Sequence, residues 1–552
     1  MKKMFYHPYS RRKKIVAILL FSVQPFVFYA QNAGTEEQTN ANAPENLNWY
    51  NQDPEEDDIM GVGAERAYEY LKERKSEVRV VAVLDSGVDI DHKDLKNNIW
   101  INEDEIPENG IDDDNNGYID DVYGWNFLGN ESGENLVYEN LEFVRNVKRY
   151  EQRFGGKKST EISDADSADY NKYIELKHKM EKEQKKANEE YKDIAPVVQA
   201  VKIASQFVAT YLNKSEYTIE EMEAIETDYE PLVQSRDLLV AFRKDGITEE
   251  YLEEYFAHVQ AKKEYYYNSD YNGRLIIGDD PSSISDSIYG NEIVGGDYSD
   301  HGTHVAGIIG AVRNNNYGVD GIANNVKIMP VRVVPDGDER DKDVALGIRY
   351  AVNNGANIIN MSFGKQYSPY KEMVDDAIQY AKDHNVLVIH AAGNESDNID
   401  EEMYYPSNIL LNGDTLTANY MIIGASSASR KKDMVGDFSN YGHKMVDFFA
   451  PGVDVYSTVP GNKFQSNSGT SMACPAASGV AALVWSYFPE LSAEQLKTVL
   501  EKSVYVPKRK KVLNPDSKGK KKVKFSDLSQ TGGIVNAYLA IKYAEQLLAN
   551  GE

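Results

Sequence analysis

The chain has 552 residues, of which 41% are hydrophobic, so it can bury one large core or several smaller ones and is not a disordered protein. Its 88 acidic and 60 basic residues give a formal charge of -28, which argues against nucleic acid as the main partner. The single cysteine, Cys474, excludes an internal disulfide, so the fold must depend on its packed core and on any bound metal ions.

The first thirty residues have the pattern of a secretory signal peptide. Basic residues within positions 2–14 precede an apolar segment, Ile15–Ala30, which is short for a membrane span and is interrupted by Gln24 and Pro25. We therefore predict cleavage after position 30, no stable membrane insertion afterwards, and export to the periplasm, the cell surface or the medium. An uncleaved anchor is the alternative. A linker is expected over residues 31–50.

An acidic segment, Ile101–Phe127, predicts a cation-binding loop. Between Ile101 and Asp121 it holds nine acidic residues and no Lys or Arg, and such a density of carboxylates repels itself unless a cation binds. The candidate ligands are Asp112, Asp114, Asn116, Asp120 and Asp121. The first four match positions 1, 3, 5 and 9 of an EF-hand-like loop, but position 12 is Tyr123, so Asp121 is the candidate substitute. We predict a structural calcium ion and no organic cofactor; a solvated loop is the alternative.

Residues 134–272 differ in composition from the rest, being rich in Lys, Glu, Tyr and Ala with few glycines. Thr218 and Glu221 form a capping-box pattern, and the apolar residues between Leu252 and Val259 recur at helical spacing. This predicts a helical insertion between two parts of a larger domain, residues 51–133 and 273–552. A lid over a cleft, an exosite, a partner-binding arm and a merely decorative bundle all remain open as its role.

Five apolar segments predict buried strands of a parallel sheet. They are Val80–Leu84, Val326–Val334, Ala356–Phe363, Val386–Gly393 and Tyr420–Ser427. Helical patterns lie between several of them, as at Val344–Val352. The alternation predicts an α/β sandwich with right-handed crossovers, in which functional residues gather at the carboxyl ends of the strands.

Four polar residues lie where such a fold places its chemistry. Asp85 ends the first apolar segment, His301 is the second residue of DHGTHVAG, Asn394 follows AAG, and Ser471 lies in the small-residue segment GTSMACPAASG. An acyl-transfer reaction needs a nucleophile, a base, a group that orients the base, and a donor for the developing oxyanion. Ser471, His301, Asp85 and Asn394 supply one of each.

Other chemistries fit these residues less well. A zinc site at His301 and His304 lacks a third ligand and the H-E-x-x-H pattern. An aspartic peptidase needs a second D-[ST]-G motif besides that at Asp85. An esterase would show G-x-S-x-G, whereas Ser471 is preceded by Gly469 and Thr470 and no glycine follows at the second position.

The blocks DSGVDIDH, DHGTHVAG, AAGNES and GTSMACPAASG resemble the four signature blocks of the subtilisin-like serine peptidases (subtilases, family S8), over residues 79–95 and roughly 290–552. The resemblance implies a subtilisin-like three-layer sandwich with a mostly parallel central sheet. It also implies that Asp85, His301 and Ser471 are catalytic and that Asn394 belongs to an oxyanion hole. Cys474 departs from the usual serine of the family, for which we expect altered packing.

The resemblance further implies a cleft that binds an extended peptide by strand addition. Its walls are Ser362, Phe363 and Gly364 on one side and Ala391, Ala392 and Gly393 on the other. We therefore expect an exported serine endopeptidase that acts on proteins or peptides. The alternative is an inactive subtilase scaffold that binds an unidentified partner through the helical insertion.

Overall fold

The computed structural model describes residues 46–415, 418–517 and 519–550, so the predicted signal peptide and most of the linker lie outside the described residues. The described chain divides into two compact units. The larger unit comprises residues 46–142 and 272–550, and the smaller comprises residues 143–271. Along these ranges, none of the helices combines the length and the apolar character needed to cross a membrane.

The larger unit is built on a sheet of seven parallel strands in the order β2-β3-β1-β4-β5-β6-β7. The strands of the described chain are β1 (Arg79–Asp85), β2 (Trp125–Asn126), β3 (Val326–Arg332), β4 (Ile358–Met361), β5 (Leu387–Ala391), β6 (Tyr420–Ser426), β7 (Phe448–Pro451), β8 (Val455–Val459), β9 (Lys463–Asn467), β10 (Lys511–Leu513) and β11 (Lys522–Lys524). The pairs β8–β9 and β10–β11 form separate antiparallel hairpins.

Helices connect and cover these strands. They are α1 (Ala64–Leu71), α2 (Glu142–Phe154), α3 (Ser167–Leu212), α4 (Ile219–Glu223), α5 (Glu230–Lys244), α6 (Glu249–Ala261), α7 (Arg274–Ile277), α8 (Asp300–Gly310), α9 (Asp341–Asn353), α10 (Lys371–Asp383), α11 (Thr470–Tyr487), α12 (Ala493–Lys502) and α13 (Ala537–Asn550). Most of α2 and all of α3 to α6 belong to the smaller unit.

The central sheet is buried on both faces. Val81 and Val83 of β1 point into one apolar core, which α8, α11 and α13 share, whereas Ala82 and Leu84 point into a second core, which α9 and α10 share. Alternate side chains of a strand point to opposite faces, so continuous Val, Ile and Leu runs suit a sheet covered on two sides. This confirms the predicted α/β sandwich with a parallel central sheet.

The predicted strands ran past the observed ones at their carboxyl ends. β4 ends at Met361 rather than Phe363, and β5 ends at Ala391 rather than Gly393. The apolar pattern continues beyond the last ladder bond because the chain leaves the sheet while its side chains are still packed, as Ala392 is. These two extensions are the segments that the resemblance assigns to the cleft.

The smaller unit has an apolar core of its own, to which α3, α5 and α6 contribute residues such as Val208, Leu239 and Val259. The capping box is confirmed: the Glu221 amide donates to Thr218 Oγ1 at 3.2 Å, and the Thr218 amide donates to Glu221 Oε2 at 3.0 Å. A helical segment with a separate apolar core and a capped helix start is a packed unit in its own right.

Candidate active site

The end of β1 and the start of α8 bring Asp85 and His301 together. Gly302 makes this approach possible, because a Cβ there would lie 2.1 Å from the Gly87 carbonyl oxygen and 3.1 Å from Asp85 Cβ. His301 Nδ1 donates to Asp85 Oδ1 at 2.7 Å, and the Ser86 amide donates to the same oxygen at 2.7 Å. Asp85 is 1% exposed. The carboxylate therefore fixes both the ring orientation and the tautomer with hydrogen on Nδ1.

Two opposing effects act on the imidazole of His301. Burial by itself lowers its pKa, but the charge and the hydrogen bond of Asp85 outweigh burial and raise the pKa above the ordinary value of 6.5. A neighbouring carboxylate stabilises the protonated ring and so makes it a stronger base. His301 remains partly exposed, with 31% of its side chain accessible, so it can meet a ligand from solution.

Ser471 is the second residue of α11 and is half-buried. Its hydroxyl donates to the carbonyl oxygen of Ser362 at 3.0 Å, and the Ser362 hydroxyl donates back to the Ser471 carbonyl oxygen at 3.0 Å. The amide of Ser471 belongs to the first turn of α11, where N–H groups have no acceptor inside the helix and the helix field is positive. The segment after β4 thus holds the serine in place.

Asn394 is locked by the residue before Ser471. Its Oδ1 accepts hydrogen bonds from the Thr470 amide at 2.8 Å and from the Thr470 hydroxyl at 3.0 Å, and Thr470 Oγ1 accepts from the Gly393 amide at 3.1 Å. A Cβ on Gly469 would lie 3.6 Å from Asn394 Nδ2 and 3.6 Å from the Ser471 amide nitrogen. The two nitrogen donors therefore border one space, which glycine leaves open.

The predicted cleft walls lie side by side because β4 and β5 are adjacent and parallel, with Met361 opposite His390. Phe363 and Gly364 are half-buried, whereas Ser362, Ala391 and Ala392 are each at most 3% exposed. A peptide could reach the buried residues only through their backbone, since their side chains are packed inside. Gly393 directly precedes Asn394, so the wall formed by residues 391–393 ends next to the Asn394 side-chain amide, which Thr470 binds.

Two further residues near the site are inert by their burial. His304 is 0% exposed, its Nε2 donates to the Gln465 carbonyl oxygen at 3.1 Å, and burial lowers its pKa to about 3. Cys474 is also fully buried, with Sγ 3.2 Å from the Ile389 carbonyl oxygen, and burial raises its thiol pKa to about 12. A neutral imidazole and a protonated thiol in these settings serve packing and hydrogen bonding.

The acidic loop gathers three carboxylates. Glu105, Asp114 and Asp121 each offer an oxygen, and these oxygens lie within 4.8 Å of one another. Glu105 is 5% exposed, and its Oε2 has no hydrogen-bond partner among the described residues. Burial raises the pKa of Asp121 to about 6 and also raises the pKa of Glu105. Buried carboxylates that face one another resist ionisation unless a cation joins them.

The other predicted ligands lie around this cluster rather than in it. Asn116 Nδ2 donates to Asp114 at 3.0 Å and to Asp121 at 3.1 Å. Asp112 accepts from the Asn116 amide at 3.0 Å, and Asp120 accepts from backbone amides at 3.1 and 2.9 Å. Of the five predicted ligands, the structure therefore brings together the carboxylates of Asp114 and Asp121, with the Asn116 amide against both.

Comparison with protein families decides the identity of the chain. The model of the subtilase family matches residues 77–526, which is most of the sequence. The protein belongs to the subtilase family. This confirms the resemblance on which the site residues were chosen.

Relatives of this subtilase are proteases by name. The cell wall-associated protease of Bacillus subtilis (strain 168) is 39% identical over 204 residues, or 37% of this chain and 21% of the relative. Subtilisin BL of Lederbergia lenta is 37% identical over 206 residues, or 37% of this chain and 70% of the relative. A solved protease from Pseudoalteromonas arctica is 29% identical with a TM-score of 0.36, over 44% of this chain and 70% of that one. The chain thus spans about a fifth of the first relative's length.

Proposed function

We propose that this subtilase is a serine endopeptidase with Ser471 as the nucleophile, His301 as the general base and Asp85 as the group that orients the base. One observation carries the proposal most directly. His301 Nδ1 donates at 2.7 Å to a carboxylate that is 1% exposed, which leaves Nε2 free to take a proton. A buried carboxylate behind a partly exposed imidazole is the arrangement that general-base activation of a hydroxyl requires.

The first step transfers one proton and forms one bond. The Ser471 hydroxyl, which donates to the Ser362 carbonyl at rest, turns its hydrogen toward His301 as its oxygen attacks the peptide carbonyl carbon. His301 Nε2 takes that proton, and Asp85 stabilises the imidazolium that results. The protonated ring then gives the proton to the leaving amine, and a water molecule, activated by the same ring, releases the acyl group.

The charge that develops on the carbonyl oxygen is held by Asn394 Nδ2 and by the Ser471 amide, the two donors that border the open space at Gly469. One such donor contributes about 2.7–4 kcal/mol to the stability of the transition state. Thr470 contributes by position, because its amide and hydroxyl fix the Asn394 amide through Oδ1. Preorganised donors lower the barrier because they need not reorient during the reaction.

Substrates are proteins or peptides in extended form. Residues 362–364 and 391–393 follow two adjacent parallel strands, and the Ser362 carbonyl contacts the Ser471 hydroxyl, so this backbone can pair with a peptide as an added strand. Pairing of this kind uses backbone groups that every residue has, so it restricts the sequence of the substrate little. The apolar segment after the basic amino-terminal residues and the cell-wall location in a relative's name support export of the enzyme.

We also propose that the acidic loop binds a structural calcium ion through Glu105, Asp114 and Asp121. The donors are all carboxylate oxygens, which suit a hard cation, and one of them, Glu105 Oε2, is buried without a hydrogen-bond partner among the described residues. Bound calcium would neutralise charges that otherwise repel one another. The ion has no part in the chemical steps above.

The test is the mass of the intact protein after treatment with a serine-reactive fluorophosphonate. A single adduct that disappears in Ser471→Ala and persists in Ser468→Ala, three residues away, is the expected result. If neither the wild type nor Ser468→Ala is labelled, although circular dichroism shows that both are folded, the proposal is contradicted and the inactive scaffold is favoured. The labelling is repeated with calcium and with a chelator, and loss of labelling in chelator would indicate that the acidic loop supports the active fold.

A further inference from the structure

A tyrosine lies between the two walls of the cleft. A Cβ on Gly364 would lie 2.5 Å from Cε1 of Tyr404, and a Cβ on Gly393 would lie 3.1 Å from the same atom. Gly364 and Gly393 belong to opposite walls. One edge of the Tyr404 ring therefore fills the gap between them, and the absence of side chains at both glycines is what gives the ring its room.

The ring is held from several sides. Lys365 and Tyr405, the residues next to Gly364 and Tyr404, exchange two backbone hydrogen bonds of 2.9 Å. The Tyr404 hydroxyl donates to the Gly364 carbonyl oxygen at 2.9 Å and to Glu395 Oε1 at 3.4 Å. Moving the ring aside would break these side-chain bonds or shift a paired backbone.

The same contacts reach the residue proposed to hold the oxyanion. Glu395 Oε2 accepts from the Asn394 amide at 2.9 Å and from Asn440 Nδ2 at 2.8 Å. Burial, with the charge of Glu395, raises the pKa of Tyr404 well above its ordinary value, so the ring keeps its hydroxyl hydrogen. Tyr404 is thus a neutral donor fixed to the floor of the cleft.

The position of this ring bears on the substrate. The acyl-side residue of a peptide, whose carbonyl Ser471 attacks, carries its side chain on the carbon next to that carbonyl. With Asn394 as the proposed oxyanion donor and the Ser362 carbonyl bonded to the Ser471 hydroxyl, that side chain is placed beside Asn394 and Ser362. Gly393 directly precedes Asn394, and Gly364 follows Ser362 by two positions. The edge of the Tyr404 ring occupies the space between these two glycines.

We propose that Tyr404 is a specificity-determining residue that limits the enzyme to a small acyl-side residue: glycine, alanine or serine. The inference rests on the proposed function and narrows its substrate class. A methyl or hydroxymethyl group ends above the ring, whereas a leucine or phenylalanine side chain has to displace it. Bulk that a pocket cannot accept reduces kcat/KM because the transition state is then bound less well.

The experiment measures kcat/KM of the full-length protein on peptide amides that differ only in the acyl-side residue, which is Gly, Ala, Leu or Phe. We expect the wild type to prefer Ala over Phe by about 100-fold, the scale at which pockets discriminate by size. In Tyr404→Gly, the ratio of kcat/KM for the Phe peptide to kcat/KM for the Ala peptide should rise at least about 10-fold. Tyr404→Phe is the matched control, since it keeps the ring and should keep the preference for Ala.

Fluorophosphonate labelling of every variant separates failure of this inference from failure of the proposed function. A labelled wild type that cleaves the Phe peptide as fast as the Ala peptide overturns the role of Tyr404 alone. An unchanged Phe/Ala ratio in a labelled Tyr404→Gly, or in Tyr404→Ala if the glycine variant does not fold, overturns it as well. Absence of labelling and of cleavage in the folded wild type overturns both proposals.

Discussion

The two carboxylate sites of this subtilase differ in what balances their charge. Asp85 Oδ1 bonds to the His301 ring, which can take up a positive charge, although Asp85 Oδ2 has no hydrogen-bond partner among the described residues. Glu105, Asp114 and Asp121 face one another, and no cationic side chain of the described residues forms an ion pair with them. A carboxylate beside a group that can become cationic can direct a proton, whereas the three carboxylates without a cationic side chain are those for which we propose a bound calcium ion.

The sharpest test of the first site is Asp85→Asn. We expect kcat to fall about 10⁴-fold, because an asparagine in this position favours the wrong tautomer of the imidazole. Thermal unfolding should change little, and Asp91→Asn, an exposed acidic residue in the same segment, is the matched control that keeps full activity. Equal rates in the two variants would remove Asp85 from the mechanism.

The corresponding test of the second site is calcium removal. With calcium at about 100 times its dissociation constant, the free energy of unfolding should rise by about 2.7 kcal/mol relative to chelator. Thermal melts of Glu105→Gln should lose this response, and melts of Asp104→Asn, which changes an exposed neighbouring charge equally, should keep it. A wild-type Tm that is the same with calcium and with chelator would contradict the proposal that the acidic loop binds calcium.

A smaller effect is expected for Thr470→Val, which removes the hydroxyl that bonds Asn394 and Gly393. Only the bond to Asn394 orients the proposed oxyanion donor, and its loss is worth about 0.5–1.5 kcal/mol, so kcat should drop by up to about 10-fold with KM unchanged, since the oxyanion forms only in the transition state. Thr470→Ser restores the hydroxyl and should restore kcat. A change in KM alone would indicate a role in substrate binding instead.

The mildest perturbation is pH. The proposed base works only while His301 is neutral, and Asp85 outweighs burial to raise the pKa of His301 above 6.5. Since a raised pKa keeps the ring protonated to higher pH, kcat/KM should fall about tenfold per unit as pH drops below a midpoint above 6.5. In Asp85→Asn that midpoint should move to lower pH. A wild-type midpoint below pH 6.5 would contradict the proposed effect of Asp85 on the pKa of His301.

The sequence predicted the parts of the molecule that secondary structure determines. Asp85 and Asn394 follow buried apolar segments, and a parallel sheet brings the ends of such segments to one edge. Ser471 lies at the start of a helix, which the small residues of this segment predicted. These placements depend only on the order of strands and helices along the chain, which is why the amino-acid pattern predicted the α/β fold class and the approach of polar residues to strand ends, while the pairing of His301 with Asp85 followed from the family resemblance.

The remaining site residues depend on contacts that no spacing rule describes. Glu105 was missed because the EF-hand pattern counts forward from Asp112, whereas the loop folds an earlier residue back onto Asp114. Thr470 has its role only once Asn394 lies beside α11. Tyr404 meets Gly364 across 40 positions through backbone pairing of their neighbours, which leaves no signal in the sequence.

The long separation between Asp85 and His301 has a consequence for the order in which the enzyme is made. The two residues are 216 positions apart, and β1 takes its place in the sheet only between β3 and β4, which follow the helical unit in the chain. During synthesis the strand that bears Asp85 therefore waits without its neighbours until the helical unit has emerged. The surroundings of Asp85 are therefore complete only after residue 361, the end of β4, has been synthesised.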